Sequence, residues 1–207
     1  MLRNVCHIAG CVLVACTVAV AAPADGSESP TDAVRGTVDQ VLRILDDPAL
    51  KAPAKLLPRR RMLEDVIATR FDYAEMSKRA LAAYWVPLTP AERTEFVALF
   101  KSFLSDSYAE KIEGYGGQQI VYLSERIEGS YAEVRTELRS EKTTIPLDYR
   151  LIAKEGRWHA YDIVADGVSL VKNYRSQFYT VIRDSSYQEL VKKLREQTLA
   201  NEPQKKQ

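Results

Sequence analysis

The spacing of apolar residues changes along the chain, first following a helical period and later that of a β-strand. From Thr31 to Ile112, apolar side chains recur every three or four positions, which predicts a series of amphipathic helices. Thr31 or Asp32 is expected to cap the first of them. The clearest signal is Thr89-Pro90-Ala91-Glu92, which predicts a capping box with proline at the first helical position. This part of the chain is therefore expected to be helical.

From Gln118 onward, apolar and polar residues alternate, and this period of two predicts four antiparallel strands, each with an apolar and a polar face. The strands are expected at residues 118–124, 132–139, 145–152 and 157–164. A tight Asp166-Gly167 turn and two amphipathic helices, at residues 169–183 and 187–199, follow. Helices, then a meander, then helices predict an α+β domain in which helices cover the apolar face of the sheet.

The first 21 residues have the pattern of an export signal. Arg3 gives a short basic start, residues 5–20 are almost wholly apolar, and Ala19-Val20-Ala21 fits the small-x-small rule for cleavage. An alternative is that Leu13-Val14-Ala15-Cys16 is a lipobox, which would place a lipid anchor on Cys16, although the residues after it stay apolar. We expect a signal peptide at 1–21, a flexible lead-in at 22–30, a single domain at 31–199 and a polar tail at 200–207.

Composition and charge exclude several classes of function. All three cysteines lie in the leader, so the exported chain has to fold without a disulfide. The chain has 29 Lys plus Arg and 28 Asp plus Glu, and Arg3 is the one charged residue of the leader. The mature chain is therefore neutral, which argues against nucleic-acid binding. With His159 as the one histidine after the leader and no nucleophile or nucleotide motif, the sequence predicts neither a catalytic nor a metal site.

Tyrosines at semi-buried positions are the most suggestive feature of the mature chain. A buried tyrosine hydroxyl needs a hydrogen-bond partner, so many of them suit the wall of an apolar cleft whose mouth is wet. The alternative is that these rings are ordinary residues of the hydrophobic core. The residues concerned are Tyr84, Tyr108, Tyr115, Tyr149, Tyr161, Tyr174 and Tyr179.

Four motifs occur in an order that points to a known family. They are Phe71–Ser77 with Tyr84-Trp85, Leu88–Arg93, Ile145–Leu151 and Trp158–Phe178. In this order they resemble the MlaC family, also called the toluene-tolerance auxiliary family. The similarity covers roughly residues 31–194. The last motif is the most specific, and Arg157 and Ala160 depart mildly from it, since the family usually has Gly and Val there.

The resemblance implies a fold and a function. Helices would pack on one face of a curved four-stranded antiparallel sheet and enclose an apolar cavity. The protein would be a soluble periplasmic phospholipid carrier that shuttles glycerophospholipids between outer-membrane and inner-membrane Mla complexes and so maintains outer-membrane lipid asymmetry. Its partners would be an outer-membrane lipoprotein–porin complex and an inner-membrane ABC transporter with a substrate-binding MCE-type subunit. The resemblance implies bound phospholipid as cargo, with no cofactor and no covalent chemistry.

On this hypothesis, three groups of apolar side chains are predicted to contact the acyl chains, although each residue could also be ordinary core. One wall would be formed by Phe96, Phe100, Phe103, Leu104 and Tyr108. The floor would be formed by Val134, Leu138, Leu147, Tyr149 and Leu151. The end would be closed by Val168, Val171, Tyr174 and Phe178. Candidate neighbours of the lipid phosphate at the mouth are Arg79, Arg150 and Arg175.

Two other functions stay open at this point. One is a small envelope enzyme that uses His159 and Tyr161 as acid and base. In a regular strand these two side chains share one face, and Asp162 points to the other. The second is an adaptor that binds envelope proteins through an amphipathic groove and carries no lipid.

Overall fold

The computed structural model describes residues 28–115 and 117–201, with side chains up to residue 198. The predicted signal peptide, Cys16, most of the lead-in and the tail after Asn201 lie outside these residues. The α-helices of the described part are α1 Pro30–Asp46, α2 Leu56–Arg70, α3 Tyr73–Leu81, α4 Pro90–Glu113, α5 Leu170–Asp184 and α6 Tyr187–Asn201. Its strands are β1 Gln119–Glu128, β2 Tyr131–Arg139, β3 Thr144–Lys154, β4 Arg157–Ala165 and β5 Val168–Ser169. Short 3₁₀ turns occupy Pro48–Leu50, Pro53–Lys55 and Ala82–Trp85.

Side-chain caps determine where α1 and α4 begin. The Ser29 hydroxyl accepts a hydrogen bond from the backbone N–H of Asp32 at 3.0 Å, and Pro30 occupies the first turn. The prediction that Thr31 or Asp32 caps this helix was therefore wrong, because Pro30 is already suited to the first helical position. At α4 the capping box is confirmed, since Thr89 accepts from the Glu92 N–H at 3.3 Å and the Glu92 carboxylate accepts from the Thr89 N–H at 2.8 Å.

The strands form one open antiparallel sheet in sequence order, so that each pairs with the next. This confirms the predicted meander and the α+β class. The sheet has a fifth strand that the sequence did not predict. It arises because Asp166 and Gly167 both adopt positive φ, 49° and 75°, and the two-residue turn that they form pairs Ala165 with Val168.

A bulge in β4 changes which side chains share a face of the sheet. Arg150 pairs with Asp162 but Leu151 pairs with Ala160, so Tyr161 is the extra residue. Asp162 therefore lies on the opposite face from Ala160, although the two are separated by a single residue. The expectation that Asp162 points away from His159 was wrong for the same reason, since both now share a face with Arg150.

Helix α1 covers the apolar face of the sheet. Val34, which is 2% exposed, packs against a group of strand residues: Ala132, Val134, Tyr149 and Leu151. The carboxylate of Glu125 in β1 accepts a hydrogen bond from the backbone N–H of Thr31 at 2.7 Å. A negative charge at this helix end is favourable because the first N–H groups of a helix point outward and carry partial positive charge.

The chain crosses the edge of β4 between α2 and α3. Phe71 forms a parallel bridge with Ala160, and the backbone N–H of Asp72 donates to the Ala160 carbonyl at 2.9 Å. Helix α5 then meets β4 on the face that carries Asp162. Helices thus contact both faces of β4, whereas the sequence predicted that one face would be covered.

Loss of the α4 cap is expected to lower the stability of the domain. Thr89→Ala removes the hydroxyl that accepts the Glu92 N–H, and should lower the free energy of unfolding by about 1 kcal/mol. Urea denaturation measures the difference. Thr94→Ala, at an exposed position of the same helix, is the matched control and should leave stability unchanged or slightly raised. Equal losses in both variants would contradict the assigned cap.

Candidate functional site

Helices α4 and α5 bring most of the predicted wall and end residues into one apolar cluster, called here the helical cluster. Its members from the prediction are Phe96, Phe100, Phe103, Leu104, Tyr108, Val171, Tyr174 and Phe178. The ring centroid of Phe100 lies 5.3 Å from that of Phe178 and 5.5 Å from that of Tyr174. Because Phe96 and Phe100 are fully buried, the protein's own rings fill the space between these helices.

The helical cluster also contains polar groups that are satisfied from within. Burial raises the pKa of Tyr174 to about 12, and the neighbouring Tyr108 adds to this increase. Tyr108 and Ser107 are the polar neighbours of the Tyr174 hydroxyl. The wall is therefore apolar with a small hydroxyl network inside it, in the manner expected of tyrosines at semi-buried positions.

Four of the five predicted floor residues lie together in a second cluster, called here the sheet cluster. Its buried strand residues are Ala132, Val134, Tyr149 and Leu151, with Leu147 half-buried beside them. Burial raises the pKa of the Tyr149 hydroxyl, with a smaller contribution from Tyr122. Leu138 lies on the same face of β2, four residues beyond Val134, and is half-buried outside the cluster.

Two further parts of the site prediction also fall outside both clusters. Val168, in β5, is 60% exposed and closes no end of the helical cluster. Among the candidate phosphate neighbours, Arg79 binds Glu75 at 2.8 Å and lies 4.0 Å from the Tyr161 ring centre. Arg150 lies 3.2 Å from the Asp162 carboxylate. Both cations thus neutralise carboxylates of the protein itself.

The described apolar core is divided rather than continuous. Among the residues the structure describes, Tyr161 is the one strand residue that packs with the helical cluster. Within the same residues, Val34 and Val38 of α1 are the only helix residues in the sheet cluster. A third cluster joins α1, α2 and the end of α4 through Ile44, Leu45 and Leu63. A domain of this size usually has one contiguous core. Because the core is divided here, half-buried apolar side chains lie at the margins of the clusters.

Two open surface clefts, of about 300 and 290 Å³, lie elsewhere on the described residues. The larger lies beside the β3–β4 turn and includes Asp72, Lys154 and His159. The smaller lies between α1 and α2 and includes Ile44, Met62 and Val66. Neither cleft contains a predicted acyl-chain contact.

The larger cleft does not assemble the predicted acid and base. Burial lowers the pKa of His159, and the nearby cations Arg157, Arg70 and Lys154 lower it further, while Asp72 opposes them. Burial raises the pKa of Tyr161, which lies under the Arg79 guanidinium and makes an edge contact with the Tyr131 ring at 6.0 Å. The two side chains therefore have different charged neighbours.

Within residues 28–115 and 117–201, no group of three or more His, Cys, Asp or Glu side chains is placed to hold a metal ion. No helix in the same ranges combines the length and the hydrophobicity needed to cross a bilayer.

Asp162 is a residue of structural importance whose role the sequence did not reveal. It is 3% exposed and accepts hydrogen bonds from the Ser169 hydroxyl at 2.6 Å and the Val171 N–H at 3.0 Å. These bonds fix the start of α5 to β4, and so position Tyr174 and Phe178. The sequence feature that could have indicated this role is a lone carboxylate between two apolar strand residues, shortly before a predicted helix.

The fold and its clusters define an α+β domain with an open sheet and apolar side chains, instead of reactive groups, at the candidate site. The family model described as "MlaC protein" matches residues 35–196, and the chain therefore belongs to the MlaC family. This confirms the resemblance found in the sequence motifs.

Individual relatives agree with this assignment. The intermembrane phospholipid transport system binding protein MlaC of Haemophilus influenzae is 22% identical over 124 residues, which are 57% of this chain. The match spans 58% of that protein's length, which is less than two thirds. A solved phospholipid-binding protein from Ralstonia solanacearum, in complex with a phospholipid, is 26% identical with a TM-score of 0.72. That similarity covers 83% of this chain and 97% of the other.

Removing the Asp162 carboxylate is expected to destabilise the domain. Asp162→Ala leaves the buried Val171 N–H unpaired and should lower the free energy of unfolding by about 3 kcal/mol. Asp162→Asn keeps an acceptor and should lose less. Chemical denaturation compares both with Asp148→Ala, a half-buried carboxylate of β3, which should change stability by less than about 0.5 kcal/mol. Similar losses for Asp148→Ala and Asp162→Ala would contradict this role.

Proposed function

We propose that this protein is a soluble periplasmic carrier of glycerophospholipids. It would move lipid between outer-membrane and inner-membrane Mla complexes, maintain outer-membrane lipid asymmetry and perform no covalent chemistry. The observation that carries the proposal is the similarity to the Ralstonia solanacearum protein, which was solved with a phospholipid bound and is matched over 97% of its length. The proposal includes export through the predicted signal peptide at 1–21 and a single lipid-binding domain at 31–199.

The acyl chains are proposed to contact the predicted wall and end residues at the margin of the helical cluster and the predicted floor residues at the margin of the sheet cluster. The support is the division of the core, because few side chains join α4 and α5 to the apolar face of β2 and β3. Half-buried residues at the cluster margins, such as Phe103, Tyr108 and Leu147, would meet the chains first. The buried members would follow as hydrocarbon replaces contacts within each cluster.

The size of the hydrophobic effect explains why such a carrier needs partners. Burial of one methylene group contributes about 0.8 kcal/mol, so two chains of about fifteen carbons contribute more than about 20 kcal/mol. This is close to the limit of non-covalent affinity, and release into water would be extremely slow. Release therefore requires a docked partner that offers another apolar path. The proposed partners are an outer-membrane lipoprotein–porin complex and an inner-membrane ABC transporter with an MCE-type subunit.

Mass spectrometry of the purified protein tests the proposal. The full chain is expressed with its leader in a Gram-negative host, purified from the periplasm without detergent, and extracted with organic solvent. Phospholipid is expected in the extract in about equimolar amount, since tails bound this tightly should survive purification. A folded protein without phospholipid would favour an adaptor or an enzyme and would overturn the carrier.

A charge at the cluster margin tests the position of the tails. Leu147→Arg places a guanidinium beside the proposed acyl chains, and the co-purifying phospholipid should fall by about tenfold because an unpaired charge is costly next to hydrocarbon. The matched control is Val86→Arg, at a position that is 74% exposed, and it should retain its lipid. Circular dichroism establishes that both variants are folded. An unchanged lipid content in folded Leu147→Arg removes this position from the site.

A further inference from the structure

The start of α2 and the turn before it form a surface that the proposed lipid site does not use. This basic segment, Lys51–Met62, lies within a stretch from Pro48 to Leu63 that has no Asp or Glu. It carries five cationic residues: Lys51, Lys55, Arg59, Arg60 and Arg61. Because the mature chain as a whole is neutral, this is a local concentration of positive charge.

Large apolar side chains are exposed among these cations. Leu56 is 46% exposed, Leu57 44% and Met62 43%. Leu63 takes the buried position on α2, and Met62 lies at the rim of the smaller cleft. The basic segment therefore presents hydrocarbon and positive charge on the same surface.

The cations of the basic segment fall into two sets. The Arg59 and Arg60 guanidiniums bind Glu113 at 3.3 Å and Asp106 at 2.6 Å, which anchors the start of α2 on α4. The other three are exposed and make no ion pair with any residue that the structure describes: Lys51, Lys55 and Arg61. These three charges are available to an external partner.

Nearby groups do not cancel this charge. The Asp47 carboxylate accepts the Ala49 N–H at 2.8 Å, and Glu64 lies 3.4 Å from Arg60. Asp65 is exposed one turn after Arg61 and is the nearest carboxylate on that helix without an ion pair among the described residues. The first turn of α2 has no acidic residue, so its outward N–H groups add partial positive charge.

We propose that the basic segment docks the protein onto the surface of an anionic phospholipid bilayer. Leu56 and Leu57 would enter the headgroup boundary, and Lys51, Lys55 and Arg61 would pair with lipid phosphates. Exposed leucines flanked by Lys and Arg are the combination that favours the interface of an anionic membrane, because apolar burial and electrostatic attraction act together. Lysine-rich surfaces are depleted in protein–protein interfaces, which favours lipid over an acidic protein. This proposal does not depend on bound cargo.

Vesicle binding tests the proposal directly. The purified protein is mixed with unilamellar vesicles of phosphatidylcholine alone, or of phosphatidylcholine and phosphatidylglycerol in equal parts, and the bound fraction is measured by sedimentation. Binding is expected only with the anionic vesicles. It should weaken as salt is added, because salt screens the attraction between exposed charges.

Variants of the basic segment separate its two contributions. Lys51→Gln/Lys55→Gln/Arg61→Gln should lower the affinity for anionic vesicles by at least about tenfold. Leu56→Ser/Leu57→Ser should lower it as well, through the loss of apolar burial. The matched control, Lys142→Gln/Lys172→Gln/Lys193→Gln, removes the same net charge from exposed positions elsewhere and should bind like the unmodified protein.

Three outcomes would overturn the proposal: no preference for anionic vesicles, full binding by the charge variant, or an equal loss in the control. The second would leave an acidic protein surface as the alternative partner for these cations. Phospholipid extracted from the same preparations reports on the carrier function separately. A charge variant that keeps its lipid but leaves the vesicles therefore supports docking without affecting the proposed cargo.

Discussion

The division of the apolar core is the constraint on which the rest of this structure depends. The described residues contain no cysteine, so this part of the chain has to bury its apolar surface by packing alone, and it does so in separate clusters. The helical cluster is closed by the rings of α4 and α5, and the sheet cluster is closed by α1. Since little packing joins them, either cluster can keep its internal contacts while the surface between them changes.

A divided core suits a ligand that is itself a piece of hydrocarbon. Separation of two apolar surfaces in water costs about 25 cal/mol for every Å² exposed. If an acyl chain covers the same surfaces, that cost disappears and the chain leaves water as well. The closed state and the loaded state of the proposed carrier would therefore differ little in exposed apolar area.

Local chemistry was readable from the sequence, whereas contacts between distant elements were not. The Thr89 capping box, the Asp166-Gly167 turn and the alternation in β2 depend on neighbouring residues, and the structure has all three. The sequence also grouped the rings of α4 and α5, because helical spacing identifies inward faces. It could not show that these rings fill one another's space, that a bulge at Tyr161 turns Asp162 to the other face, or that Met62 is exposed. Each of these depends on where a second element lies.

The helix pair α1 and α2 connects the basic segment to the sheet cluster. Leu63 of α2 packs with Ile44 and Leu45 of α1, and α1 in turn supplies Val34 to the sheet. At the other end of α2, Arg70 donates to the Thr37 hydroxyl at 3.0 Å and to the Trp158 carbonyl at 2.7 Å. Contact between a membrane and the start of α2 would therefore act on the two helices that bear on the apolar face of the sheet. Membrane docking of the basic segment and access of lipid to that face would depend on the same contacts. A bilayer would then favour lipid exchange without a chemical reaction at the carrier.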